Sequence, residues 1–325
     1  MRNTIFNCCR GLLLLAALWL FPQTASASAT RGDVNLDNTC NISDVTCLIS
    51  HVLTGNTENW RDDINGDGTV TIADVTALIS SVLTGVYDWP EWTGPAVPDN
   101  AEVFTVNGVS FAMIPVEGGD FTPGGHTVTL HDYSIGQTEV TQELWEAVMG
   151  DNPSFSWGYS CSCLPVNTIT WWNCQYFISK LNELTGRTFH LPTSDEWLYA
   201  AMGGQLTHNY TYAGSNDVNE VAWYSDNDPD PSNLPTMPVG LKAPNELGLY
   251  DMCGNVEEWC YDRRAGLGQE LLPLDDQEHI ISTKAVRGGS VICSAGEIGG
   301  VMIISCHNKS AGVAYRYIGM RLALW

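Results

Sequence analysis

Apolar residues recur with two different periods along the chain, and the change of period divides it into two parts. In two short runs, Val45–Gly55 and Val75–Gly85, they recur at helical spacing, and each run ends in a glycine that can cap a helix. From Phe104 onward the alternation is typical of strands, first at residues 104–106 and again at residues 110–116. The pattern predicts a small helical module followed by a larger mixed domain.

Three helices are expected in the larger part. Thr141 can cap a helix that reaches Met149, and a second is predicted from about Trp171 to Leu184. A third should start after Thr193, where the next residues favour a helix N-terminus. Strands and helices alternate with long loops rich in Gly, Trp and Tyr, so we expect an irregular α+β domain.

The first 29 residues are typical of a signal peptide. Arg2 and Arg10 precede an apolar run, Gly11–Phe21, and small residues follow at Ala25–Ala27. The run is short for a membrane span, and the remaining sequence contains no better candidate. We expect an exported protein that is secreted or held at the cell surface.

Charge and cysteine content narrow the possible functions. The formal net charge of −23 argues against nucleic acid, whose phosphates would repel the chain. Nine cysteines follow the predicted signal peptide, an odd number, and export permits disulfides. For the close pair Cys161 and Cys163, we favour disulfide use over metal binding.

Residues 32–86 contain an internal repeat with an offset of 30 residues. Each half is an acidic loop of twelve positions followed by one of the helical runs. Oxygen ligands recur at the spacing of an EF-hand calcium loop, so the sequence predicts two Ca²⁺ ions, although an Asx-rich turn is the alternative. The predicted ligands are Asp33, Asn35, Asp37, Thr39, Asn41 and Asp44 in the first loop, and Asp63, Asn65, Asp67, Thr69, Thr71 and Asp74 in the second.

This repeat resembles a type I dockerin, a calcium-folded module that docks onto cohesin domains. In that family, loop positions 10 and 11 help to select the partner. Here these positions carry Ile42–Ser43 and Ile72–Ala73. The resemblance implies a cohesin-like scaffold or cell-surface protein as partner. The alternative is a module that is stabilised by calcium and packs on its own chain or on cell-surface material.

After a Pro-rich linker at residues 87–102, residues 103–325 resemble the formylglycine-generating enzyme family, whose fold is an irregular relative of the C-type lectin fold. The strongest matching stretches are Gly248–Trp259 and Arg287–Ser290, and Leu191–Trp197 agrees further upstream. The chain departs from the family at His190, Leu198 and Glu257, where the family usually has Arg, Glu and Trp.

The loop at residues 248–259 contains a second calcium candidate. The Asp251 and Glu258 side chains and the Gly254 and Val256 carbonyls are predicted to converge on a hard cation. A hydrogen-bonded loop brace is the alternative, and we interpret Asn255 as such a brace.

Active members of the family bind copper(I) between two cysteines that lie five residues apart, and use it to oxidise a substrate cysteine. Ser290 and Cys293 match the family serine and first cysteine, but the second position is Ile298. Because one thiolate cannot form a two-thiolate site, we expect no oxidase chemistry. Cys306 would replace the missing ligand only if the loop were rebuilt.

Residues 291–317 match the family least, while the motifs on both sides persist. This arrangement resembles the variable proteins of diversity-generating retroelements, which diversify their last segment to bind ligands. The predicted ligand-binding residues are Val291, Ile292, Glu297, Ile298, His307, Lys309, Tyr315 and Tyr317. A buried segment is the alternative, because residues 301–304 have the composition of a strand.

The sequence therefore predicts an exported calcium-binding protein with two modules. The first tethers it to a cohesin-type partner, and the second binds a protein or glycan without catalysis. A copper-dependent oxidase acting on sulfatase cysteines is the main alternative. A component of a polysaccharide-degrading assembly is a weaker one.

Overall fold

The computed structural model of the chain describes residues 32, 34–35, 40–55, 62–64, 69–84, 94–125, 127–155, 161, 163–227, 235–263, 283–296 and 300–325. The predicted signal peptide lies outside these residues. So do several predicted site residues, namely Asp33, Asp37, Thr39, Asn65, Asp67, Glu297 and Ile298. Within the described ranges, no helix is long and apolar enough to cross a membrane.

The N-terminal module contains two helices, α1 (Ile42–Thr54) and α2 (Ile72–Thr84), as the helical periods predict. Asn41 caps α1 because its side chain accepts a hydrogen bond from the Ser43 amide, and Gly55 ends the helix in the left-handed region with φ 75°. The two helices share a small apolar core formed by Val34, Val45, Leu48, Ile64, Val75 and Leu78.

The larger part is a mixed domain of short strands and helices. Its described strands are β1 (Glu102–Val106), β2 (Val109–Val116), β3 (Gly119–Phe121), β4 (Val128–Leu130), β5 (Tyr133–Gly136), β6 (Phe189–His190), β7 (Ala222–Trp223), β8 (Cys253–Gly254), β9 (Glu257–Trp259), β10 (Thr283–Arg287), β11 (Cys306–Ser310), β12 (Ile318–Gly319) and β13 (Ala323–Leu324). Its described α-helices are α3 (Gln142–Met149), α4 (Trp171–Thr185), α5 (Ser194–Ala201) and α6 (Val218–Val221). The first three helices lie where the sequence predicts them, each capped by a threonine.

Two main sheets organise the domain. One has the order β1-β2-β5-β13-β6, and the other has the order β11-β10-β9-β12. Because β13 pairs with both β5 and β6, the last residues of the chain lie inside the first sheet. One face of this sheet packs on a core that contains Trp145 and Phe177, and the other packs on a core that contains Trp197.

Part of the predicted linker packs on the large domain. The Gln137 side chain donates a hydrogen bond of 2.8 Å to the Ala96 carbonyl. Gly240 has no room for a side chain because the Pro95 ring lies against it. Residues 94–101 therefore contribute to the surface of the domain that follows them.

Two local predictions have clear outcomes. Cys161 and Cys163 are joined in a disulfide, which confirms the favoured interpretation of this pair. The alternative of a strand at residues 301–304 is wrong, since these residues form turns and bends and the strand begins at Cys306. The apolar side chains of Val301 and Ile303 are nevertheless buried, because a turn can also present them to the core.

Candidate functional site

The loop at residues 248–259 is held by a fully buried asparagine. Asn255 takes the left-handed conformation with φ 55°, which Asn tolerates better than most residues. Its side chain accepts a 2.9 Å hydrogen bond from the Met237 amide and donates to the Met237 carbonyl and to Glu139. Asn255 is therefore the brace that the sequence indicates.

Glu139 is a central residue of this loop that sequence reasoning missed. Its two carboxylate oxygens accept hydrogen bonds from the Val256 amide at 3.0 Å and the Asn255 side chain at 2.7 Å. Burial, followed by the nearby Asp251 and Glu258 carboxylates, raises the pKa of Glu139 well above its usual range. The signal in the sequence is the short run Thr138–Thr141, which contains Glu139 and also agrees with the family.

The large-domain calcium site is not supported by the geometry. Both oxygens of Glu258 accept hydrogen bonds from Arg321, and one also accepts a 2.6 Å bond from Trp197. Asp251 accepts from the Gly240 amide instead. Because the Arg321 guanidinium already neutralises Glu258, the predicted ligands Asp251, Gly254, Val256 and Glu258 form a loop brace here. Among the described residues, no cluster of three metal-binding side chains is found.

The N-terminal loops fit a hard cation better. Asp44 and Asp74 are fully buried carboxylates in the first turns of their helices, and Asp63 is also buried. Asp44 accepts hydrogen bonds from the backbone of Asn35 and Asn41, so it ties the two ends of its loop together. Buried carboxylates in the first turn of a helix are suited to Ca²⁺, which neutralises their charge.

The predicted partner-binding residues lie on the surface. Ile42 and Ile72 are 65% and 68% exposed, although isoleucine is among the residue types most often buried. Ser43 and Ala73 beside them are exposed as well. The two pairs are therefore accessible to a docking partner.

The two cysteines considered for copper have separate partners. The Cys293 sulfur lies 3.7 Å from the Ser290 hydroxyl, whereas the Cys306 sulfur lies 3.9 Å from the Ser194 hydroxyl. Both are free thiols. Each sulfur therefore has a serine hydroxyl as its neighbour, Ser290 for Cys293 and Ser194 for Cys306.

The predicted ligand-binding segment divides between core and surface. Val291 is fully buried, so its assignment as a ligand contact is wrong. Ile292 is 48% exposed, and Tyr317 is half-buried against a small cluster that also contains Val291. His307, Lys309 and Tyr315 are partly exposed.

Three of these side chains form a polar and aromatic surface over the buried Glu257 side chain. His307 Nδ1 lies 2.9 Å and Lys309 Nζ 3.7 Å from the Glu257 carboxylate, and Lys309 also lies over the Tyr315 ring. We call these four residues the β11 surface. The Lys309 ammonium and the His307 ring share the Glu257 carboxylate, which provides this glutamate with polar partners.

Comparison with known proteins identifies both modules. Residues 99–324 match the sulfatase-modifying factor enzyme 1-like domain, and residues 31–83 match the dockerin type I domain. The chain therefore belongs to the sulfatase-modifying factor family and carries an N-terminal dockerin module. Dockerin type I domains bind calcium and imply a cohesin partner.

The individual relatives differ in their named functions. The chain is 37% identical over 206 residues to "Chaperone protein LppX" of Paenibacillus barcinonensis, covering 47% of this chain and 72% of that protein. It is 32% identical over 114 residues to the formylglycine-generating enzyme of Streptomyces coelicolor, covering 32% of this chain and 36% of the enzyme. Among solved structures, Treponema denticola variable protein 1 is similar with a TM-score of 0.60 and 29% identity, covering 70% of this chain and 99% of that one. These likenesses confirm the predicted α+β, C-type lectin-like fold class.

Proposed function

We propose that the protein is exported, is tethered to a cohesin-bearing partner by its dockerin module, and binds a protein or glycan ligand through the β11 surface without catalysis. The β11 surface is the observation on which the proposal rests. It joins Glu257, a departure from the family, to residues of the segment that matches the family least. Surfaces that vary on a constant scaffold are typical of ligand recognition.

The character of this surface favours an acidic ligand. Lys309 supplies a cationic group, His307 supplies a polar ring, and Tyr315 supplies an aromatic ring for stacking. Arg316, next to Tyr315, lies over the Phe155 ring at 3.9 Å and adds a further positive charge. On a chain with a net charge of −23, such a patch favours carboxylated or sulfated glycans, or an acidic protein surface.

Similarity to Treponema denticola variable protein 1 over nearly all of that protein supports a binding role. The exposed pairs Ile42–Ser43 and Ile72–Ala73 support the tethering role. A cohesin-bearing scaffold would also be consistent with membership of a polysaccharide-degrading assembly.

The binding role is tested with the chain that lacks the predicted signal peptide, in the presence of Ca²⁺. Its binding to immobilised anionic and neutral glycans and to immobilised acidic proteins is compared with that of a Lys309→Ala/Tyr315→Ala variant. We expect the parent protein to bind the anionic probes selectively and the variant to lose this binding. Equal binding by both proteins would place the ligand elsewhere and contradict the proposal.

A second assay separates binding from oxidase chemistry. The reduced protein and a Cys293→Ser variant are titrated with copper(I) and then incubated with a cysteine-containing sulfatase peptide. We expect no copper binding that depends on Cys293 and no aldehyde. Stoichiometric copper lost in the variant, together with aldehyde formation, would make the protein an oxidase and overturn the proposed function.

A further inference from the structure

The two halves of the N-terminal repeat differ in a chemically informative way. The helical runs Val45–Gly55 and Val75–Gly85 are identical at every position except two. At these positions the first run has Cys47 and His51, where the second has alanine and serine. The two residues are four apart on α1, so their side chains share one face of the helix.

The structure brings these side chains together with a buried carboxylate. Cys47 Sγ lies 3.6 Å from His51 Nε2, and His51 Nδ1 lies 2.5 Å from Asp62 Oδ2. The Asp62 side chain is fully buried, whereas that of His51 is 21% exposed. Asp62 precedes the second loop, and the residue that corresponds to it before the first loop is Gly32, so the repeat contains this set of three groups once.

The distances match the requirements of a zinc ligand pair. Zinc binds thiolate sulfur at about 2.3 Å and imidazole nitrogen at about 2.0–2.1 Å, and a tetrahedral angle between them separates the two atoms by about 3.6 Å. A carboxylate on the other ring nitrogen is the usual support for a zinc-bound histidine, because it leaves the metal-facing nitrogen unprotonated. Here Asp62 occupies that supporting position on Nδ1.

A nucleophilic Cys-His-Asp arrangement is the competing interpretation. Burial, followed by the Asp62 and Asp44 carboxylates, raises the pKa of the Cys47 thiol. A raised pKa disfavours the thiolate that a nucleophile requires. The 3.6 Å between Cys47 Sγ and His51 Nε2 equals the separation of two ligands on one zinc ion, so the geometry favours metal binding.

We propose that Cys47 and His51 bind one zinc ion, with Asp62 positioning the histidine and water filling the remaining coordination positions. Within the described ranges no third ligand completes the set. Two protein ligands leave the ion open on the side of His51 that faces solvent. Thiolate and imidazole ligands distinguish this site from the adjacent calcium loops, which offer oxygen.

The test uses the reduced, calcium-saturated chain without its predicted signal peptide. Cobalt(II) replaces zinc as the spectroscopic probe, since a cobalt–thiolate bond gives a charge-transfer absorption that oxygen-bound cobalt in a calcium loop does not give. The matched control is the Cys47→Ala/His51→Ser variant, which copies residues that α2 already tolerates at the same positions. Zinc is then added to displace cobalt.

One equivalent of cobalt with a thiolate band is expected in the parent protein, and zinc should remove the band. The double variant should lose it while keeping its helical circular dichroism. Asp62→Asn should weaken zinc binding about ten- to a hundredfold, as loss of a supporting carboxylate does elsewhere. A band of equal strength in the double variant, or no thiolate band in the parent protein, would overturn the proposal.

Discussion

Arg321 and Glu258 form a fully buried ion pair at the centre of the large domain. Arg321 Nη2 and Glu258 Oε1 are 2.7 Å apart, and neither side chain is exposed to solvent. The guanidinium also donates to the Gly136 and Tyr250 carbonyls. The pair thereby connects the last residues of the chain to the loop at residues 248–259.

Removing the arginine should strongly destabilise the protein. Arg321→Leu leaves Glu258 buried near two more carboxylates, Glu139 and Asp251, and loss of one partner of a buried pair costs about 3–5 kcal/mol. The free energy of unfolding is measured by urea titration, with near-UV circular dichroism as the probe. The control is Arg187→Leu, which breaks the exposed pair with Glu102 and should cost less than about 1 kcal/mol. Similar losses in the two variants would contradict the argument.

Asp251 should make the stability of the domain depend on pH. Burial raises the pKa of Asp251 from 3.8 to about 6, so its contribution to stability is fully present below pH 3.8 and is lost as the pH rises through 6. The full shift corresponds to about 3 kcal/mol. Asp251→Asn keeps an oxygen for the Gly240 amide and suits the left-handed conformation at φ 57°.

The unfolding free energies of this variant and the parent protein are compared at pH 5 and pH 7.5. The variant should gain stability relative to the parent protein at the higher pH. An unchanged difference at the two pH values would show that Asp251 does not titrate in this range.

Local sequence patterns are sufficient to predict the helices, whereas the buried ion pair of Arg321 and Glu258 depends on residues that are far apart in the chain. Thr141 and Thr193 signalled helix starts because capping depends on residues only three positions away. The local pattern around Glu258 indicates a calcium ligand because the partner that neutralises it, Arg321, is 63 residues further along the chain. The pattern also places Val291 among the ligand-binding residues, since burial in the core depends on tertiary packing that a one-dimensional pattern does not contain.

Gly254 should be irreplaceable. It has φ 81°, and a Cβ at this position would collide with the Trp223 backbone, against which β8 pairs. Gly254→Ala should therefore cost more than about 4 kcal/mol or prevent folding. Gly312→Ala is the control, because no atom lies within 4 Å of its added Cβ, and it should change stability by less than about 0.5 kcal/mol. The melting temperatures of the two variants are compared by thermal unfolding. Equal values would contradict the steric argument.

Calcium removal should affect the two modules differently. In the N-terminal module, chelation leaves the buried carboxylates of Asp44 and Asp74 without a cation, so α1 and α2 should lose helical circular dichroism. In the large domain, Arg321 already neutralises Glu258, so its near-UV signal and melting temperature should not change. A control with Mg²⁺ in place of Ca²⁺ should not restore the helices, because a flexible oxygen-rich loop selects the larger ion. A drop in the melting temperature of the large domain on chelation would instead restore Asp251 and Glu258 as calcium ligands, with Arg321 displaced when the ion binds.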